Sequence, residues 1–241
     1  MELGIAGRVA LVAASSKGLG RASASALAAE GARLVICGRG EEALRSAEAE
    51  LRASGAEVHA VVADVTAPDA PAALVAEALS QFGDLDIVVA NAGGPPPGHA
   101  LEVGPEQLQG ALETSLLSSV RLVQAAVPHL QAKGWGRICC ISSYSIVQAI
   151  PGLALSNMAR SGLRAWAKTA AHDLAGSGVT VNLACPGVHA TERAVALGIA
   201  GREDVGDPAD FGKVVAFLCS DPARYVSGAT VVVDGGDSLA L

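Results

Sequence analysis

A chain of 241 residues has room for one large domain or two small ones, and 51% hydrophobic against 17% charged residues is enough apolar material for a well-buried core. That balance excludes a disordered chain, and a net charge of −7 with no clustered basic stretch excludes an electrostatic footprint for nucleic acid. No apolar run reaches the ~18 residues of a membrane span. The opening Met1–Arg8 lacks the basic start and apolar core of a secretory leader, so a cytoplasmic protein is the expectation.

In chain order, Val9 to Ala13 is a short apolar run that reads as a strand. It leads into a turn of small residues holding Lys17, Gly18 and Gly20, then a helix from Arg21 to Glu30 that Gly31 ends. Strand, glycine turn and helix together suit a phosphate. Glycine lets the backbone bend and approach a ligand, and the helix start offers free N–H groups and partial positive charge. Ala32–Cys37 is a second buried strand, followed by Gly38-Arg39-Gly40 and a helix over Glu41–Ser54. Glu57–Ala63 is a third strand, with Asp64-Val65 after it, and a helix runs from about Pro68 to Phe82.

Asp86–Ala90 is the fourth strand, stopping at Asn91-Ala92-Gly93-Gly94 before a proline loop. Pro105 to Lys133 reads as one long helix bent near its end by Pro128. Arg137–Ile141 is the fifth strand, ending at Ser142-Ser143-Tyr144, and Leu153–Gly176 is a further helix. Val179–Ala184 is the sixth strand, ending at Cys185-Pro186-Gly187. A loop with a short helix at about Thr191–Ala200, a helix over Pro208–Cys219 and a last strand over Ala229–Val233 complete the chain.

Buried strands alternating with helices predict an α/β fold, a single-domain doubly wound (Rossmann-type) parallel sheet spanning residues 1–241 with helices on both faces. In such a sheet the chemistry lies beyond the carboxyl ends of the strands, at the point where the strand order reverses. That rule singles out Ser15–Gly20, Asn91–Gly94, Ser142–Tyr144 and Pro186–Thr191. The five cysteines form no CxxC pair and read as small buried hydrophobes in a reducing compartment; no metal site is expected.

The glycine turn alone is a weak signal, since it departs from G-x-G-x-x-G. Taken with the other strand ends, the sequence resembles the short-chain dehydrogenase/reductase family over essentially its whole length. The family's T-G-x-x-x-G-x-G turn is similar to Ala13-Ala14-Ser15-Ser16-Lys17-Gly18-Leu19-Gly20, with Ala14 in place of the first glycine. Asp64-Val65 resembles its adenine contact and Asn91-Ala92-Gly93 its N-A-G turn. Pro186-Gly187-Val188 with Thr191 resembles its nicotinamide carboxamide segment, and Val233-Asp234-Gly235-Gly236 its C-terminal strand ending.

The resemblance implies a nicotinamide dinucleotide as cofactor, and charge bears on which one. An acid at the end of the second strand would favour the 2′-hydroxyl of NAD. Here Gly38 stands at that place, followed by Arg39, and Lys17 adds a second cation nearby, so NADP(H) is favoured over NAD(H).

The family's catalytic set is Asn, Ser, Tyr and Lys. Ser143 matches the serine position, whereas Ser156 falls at the tyrosine, Arg160 at the lysine and Ser115 at the asparagine. An aliphatic hydroxyl is a far weaker acid than a phenol of pKa ~10. Arg160 can still hydrogen-bond ribose hydroxyls, but its permanent charge cannot join a proton relay. Tyr144, beside Ser143, is a candidate displaced acid or a plain substrate contact. His99 and His189 read as surface histidines before catalysts, and Glu192 as an early helix acid.

Two readings follow. In one, the protein is an NADP-dependent dehydrogenase or reductase acting on a small-molecule carbonyl or alcohol, including a 3-oxoacyl-like one, with an atypical proton donor. In the other, it is a non-catalytic NADP(H)-binding sensor or structural subunit. Long helices rich in small residues resemble those through which family members pair, so a homo-oligomer, dimer or tetramer, is expected.

Overall fold

The computed structural model describes residues 2–201 and 204–240. Seven parallel strands form one sheet: β1 (Val9–Val12), β2 (Arg33–Gly38), β3 (Val58–Val62), β4 (Ile87–Ala90), β5 (Gly136–Ile141), β6 (Val179–Pro186) and β7 (Thr230–Val233). Their order is β3-β2-β1-β4-β5-β6-β7, so the winding reverses between β1 and β4. Leu11 lies in register with Val35 of β2 on one side and with Val88 of β4 on the other.

Side chains alternate along each strand, and the two faces fill two cores. Val9, Leu11 and Ala13 pack with Leu74, Leu122 and Leu163. These come from α3 (Ala70–Phe82), α5 (Ser118–Lys133) and α6 (Ala154–Asp173). Ala10 and Val12 pack with Leu27, Leu44 and Phe211. These come from α1 (Gly18–Ala29), α2 (Glu41–Ala53) and α8 (Pro208–Leu218). Helices α1 and α8 approach so closely that a Cβ on Gly212 would stand 2.4 Å from Ala22 O.

The amino edge of the sheet is pinned by charge. Asp86, almost wholly buried, accepts from Arg8 Nη1 at 2.9 Å and from the Val9 N–H at 2.8 Å, and it also pairs with Lys133. Arg8 and Arg137 stack on Trp135, with ring-centroid distances of 3.8 and 4.4 Å. The carboxyl edge is thereby the face left for chemistry.

One predicted helix is divided. Pro105–Lys133 consists of α4 (Pro105–Leu112), a π turn (Glu113–Leu117) and α5. Pro128 sits inside α5 without ending it. At the break, Ser118 Oγ donates to Thr114 O at 2.6 Å. Leu116 of the same turn packs against Gly162 of α6. At the other end of the site, β6 extends through Pro186, and α7 (Glu192–Ala196) is shorter than the predicted helix.

Candidate active site

The loop between β1 and α1 is built around one strained residue and two glycines. Ala14 has φ 45°, in the left-handed region, the only non-glycine there among the described residues. Gly18 follows with φ 59°. A Cβ on Gly20 would stand 2.4 Å from Ala14 O and 2.7 Å from Asn91 Nδ2, so no other residue fits that place. Asn91 Nδ2 donates to Ala13 O and Ala14 O at 3.3 and 3.1 Å, tying the end of β4 to the turn. Ser15 Oγ donates to Val12 O at 2.7 Å and accepts from the Cys37 N–H at 3.2 Å, tying the turn to β2. Ser16 lies against Gly38. The N-cap of helix α1, Lys17, makes no side-chain cap hydrogen bond, so no side chain of its own caps the helix start.

Both candidate 2′-phosphate cations have carboxylate partners. Arg39 Nη1 lies 3.8 Å from Asp64 Oδ2. Asp64 Oδ1 accepts from Thr66 N and Thr66 Oγ1, and those bonds hold its carboxyl below the ordinary range, with Arg39 adding to the effect. Val65 packs partly buried against the core beside it. Lys17 pairs with Glu192, the first residue of α7.

Across the crevice, Gly187 lets β7 come close: a Cβ there would stand 2.6 Å from the Asp234 Cβ. Val188 bonds to Gly206 through its carbonyl at 2.9 Å, and Thr191 caps α7, its Oγ1 accepting from Ala194 N at 3.3 Å. Thr191 also lies against Gly18, so the loop after β6 and the glycine turn meet. His189 is buried, not a surface residue as expected. Its Nδ1 lies 3.2 Å from Gly187 O and its ring meets Phe211 edge-on at 5.5 Å. His99 is exposed.

Among the residues expected at the catalytic positions, Ser143 caps the 3₁₀ turn Tyr144–Ile146, its Oγ accepting from Ser145 N at 3.1 Å. Its hydroxyl proton remains available to a partner. Tyr144 is half-buried beside it. Ser156 and Arg160 lie one turn apart on α6, and Ser156 is half-buried with no side-chain hydrogen bond. Arg160 is buried and donates through Nη1 to Ile141 O at 3.1 Å and Ser142 O at 2.9 Å. Burial pushes its guanidinium down to about 10, which leaves it charged at neutral pH. Ser115 Oγ, in the π turn, is buried with no hydrogen-bond partner.

Two residues near the site carry no sequence signal. Arg193 of α7 donates through Nη2 to Pro95 O at 2.6 Å and covers Gly94 at 3.2 Å from where its Cβ would stand. Cys185, at the end of β6, faces the Ser143 N–H, and burial pushes its thiol up to about 12. All five cysteines are free and buried, and the described residues contain no group of His, Cys, Asp or Glu arranged to hold a metal.

This arrangement has known counterparts. Residues 13–238 match the family profile described as Enoyl-(Acyl carrier protein) reductase. Dehydrogenase/reductase SDR family member 4 of Homo sapiens is 32% identical over 98% of this chain and 90% of its own. The chain belongs to the short-chain dehydrogenase/reductase family. The 3-oxoacyl-[acyl-carrier-protein] reductase FabG of Staphylococcus aureus is 32% identical over 94% of this chain and 96% of its own. Among solved structures, L-sorbose reductase of Gluconobacter frateurii, complexed with NADPH and L-sorbose, superposes with a TM-score of 0.93 at 30% identity, covering 100% of both chains. An actinorhodin polyketide ketoreductase variant with NADPH gives 0.90 at 30% identity over 95% of this chain and 97% of its own. The protein is thus a dehydrogenase/reductase on a single Rossmann-type sheet. None of its helices is long and apolar enough to cross a membrane, among the described residues.

Proposed function

We propose that this short-chain dehydrogenase/reductase prefers NADP(H) and interconverts a carbonyl and an alcohol without the family's phenol. The observation that carries the reading is the glycine turn. An uncapped helix start, a turn that Gly20 lets pack tightly against Ala14 and Asn91, and two flanking cations fit a phosphate-bearing dinucleotide. Ala14 through Gly20 would hold the pyrophosphate, and Lys17 and Arg39 the 2′-phosphate. Asp64 and Val65 would meet the adenine, Asn91 to Gly93 the nicotinamide ribose, and Pro186 to Thr191 the carboxamide. Bound there, the cofactor supplies or accepts hydride at its nicotinamide ring. The NADPH complexes of two related reductases support the choice of cofactor.

The chain's own residues then divide the remaining work. Ser143 Oγ, its lone pair already bonded to Ser145 N, donates its proton in a hydrogen bond to the carbonyl oxygen. Arg160, bonded to the carbonyl of the neighbouring Ser142, would lower the cost of negative charge developing on that oxygen. Ser156 is too weak an acid to deliver the proton, which comes from water or from Tyr144. Ser115, whose buried hydroxyl makes no hydrogen bond to the described residues, would hold such a water. The similarity to a 3-oxoacyl reductase makes 3-oxoacyl thioesters the first substrates to try. Pairing through the helices of the π-turn face and α6 would give a dimer or tetramer.

The test is to mix the protein with NADPH and ketones, aldehydes, quinones and 3-oxoacyl thioesters while following nicotinamide absorbance. Oxidation of NADPH with at least one of them is expected. No turnover with any, while NADPH still binds tightly, would overturn the reading in favour of a sensor or structural subunit.

A further inference from the structure

Lys17 is claimed by a carboxylate from the far end of the chain. Its Nζ pairs with Glu192, 175 residues on, and both side chains are more than half exposed. Glu192 is not needed to cap α7, because Thr191 Oγ1 already accepts from Ala194 N. The same short helix touches the cofactor crevice twice more. The Thr191 Cγ2 lies 3.8 Å from where a Gly18 Cβ would stand, and Arg193 Nη2 bonds to Pro95 O at 2.6 Å. Residues 191–193 therefore strap the glycine turn to the loop after β4, and the Lys17–Glu192 pair is the charged hook of that strap.

We infer that Glu192 is a specificity-determining residue for the cofactor, competing with the 2′-phosphate for Lys17. The inference rests on the NADP(H) reading above. An exposed ion pair between two flexible side chains is weak and readily exchanged. A phosphate dianion makes stronger charge-assisted bonds to an ammonium than a single carboxylate does. NADP(H) takes Lys17 from Glu192 and releases the charged hook, leaving Thr191 against Gly18. NAD(H), with a hydroxyl at that place, leaves the pair made. Cofactor identity is in this way communicated to the segment that overlies the crevice.

The experiment is a set of equilibrium titrations of NADPH and NADH, by nicotinamide fluorescence, into wild type, E192Q, K17Q and the double variant. E192Q is expected to bind NADPH about two- to five-fold more tightly, the scale of an exposed pair, with NADH unchanged. K17Q is expected to bind NADPH about ten-fold more weakly, the scale of a lost charged hydrogen bond. In the K17Q background, E192Q is expected to have no effect, because the competition has lost its object. An unchanged NADPH affinity in E192Q overturns the inference, as does an equal gain for both cofactors or a gain that persists in the K17Q background. These last two mark a general field effect. Wild type that binds NADPH tightly while E192Q does nothing overturns this inference alone; wild type that binds neither cofactor overturns the NADP(H) reading with it.

Discussion

Arg160 and Ser142 are joined by a buried charged hydrogen bond, Nη1 to the main-chain carbonyl at 2.9 Å, with Ile141 O sharing the same nitrogen at 3.1 Å. Arg160 thus fastens α6 to the end of β5. Truncation to alanine leaves two buried carbonyls without their donor, which costs about 2–3 kcal/mol. Urea denaturation of R160A should show that loss. A variant as stable as wild type would mean that water replaces the guanidinium at no cost.

The proton source can be assigned by substitution. With an accepted carbonyl substrate in hand, a fall in kcat of at least about ten-fold in Y144F assigns the proton to Tyr144, and unchanged turnover assigns it to water. Installing a phenol and an ammonium together, as S156Y/R160K, is expected to raise kcat by about 10². The two positions lie four apart on α6, one turn above the other. No gain would mean that the site has been reshaped beyond the exchange of two side chains.

Ala14 and Gly20 make opposite predictions within one loop. Ala14 holds φ 45°, a conformation that costs a residue with a Cβ about 1–2 kcal/mol. A14G relieves that strain, while a more flexible unfolded chain costs about 0.4–1 kcal/mol. Thermal unfolding of A14G should therefore occur at the wild-type temperature or a few degrees above. G20A places a Cβ 2.4 Å from a backbone oxygen and should both destabilise the protein and weaken NADPH binding.

Asp84 gives the protein part of its acid profile. Burial pushes its carboxyl up, but hydrogen bonds from Lys133 and His129 outweigh that and hold it down to about 2, against an ordinary 3.8. The folded value lies below the unfolded one, so the contribution is complete above the ordinary value and is lost as pH falls from there through about 2. The stability difference between wild type and D84N should be greatest near neutral pH and shrink through that window. A difference independent of pH would contradict it.

Much of this was legible in the residues, for identifiable reasons. Strands buried on both faces read as unbroken apolar runs, so Val9–Ala13 and Arg137–Ile141 stood out, and the turns ending them fell at the crevice. Spacing alone proposes Ser115, Ser156 and Arg160 for the family's asparagine, tyrosine and lysine positions. What those side chains touch was not, because the partners come from distant segments: Ile141 and Ser142 for Arg160, Glu192 for Lys17, Pro95 for Arg193. The burial of His189 had no sequence signal either, since it depends on Phe211 closing over it from α8. The π turn at Ser115 packs Leu116 against Gly162 of another helix, and a helical pattern alone conceals it.

The most direct measurement is the pair of dissociation constants for NADPH and NADH with the wild-type protein at one ionic strength. An uncapped α1, the tight glycine turn and the cations Lys17 and Arg39 predict saturable binding of both, with NADPH at least about ten-fold tighter, the scale of one charged hydrogen bond to phosphate. Equal affinities, or tighter binding of NADH, would contradict it.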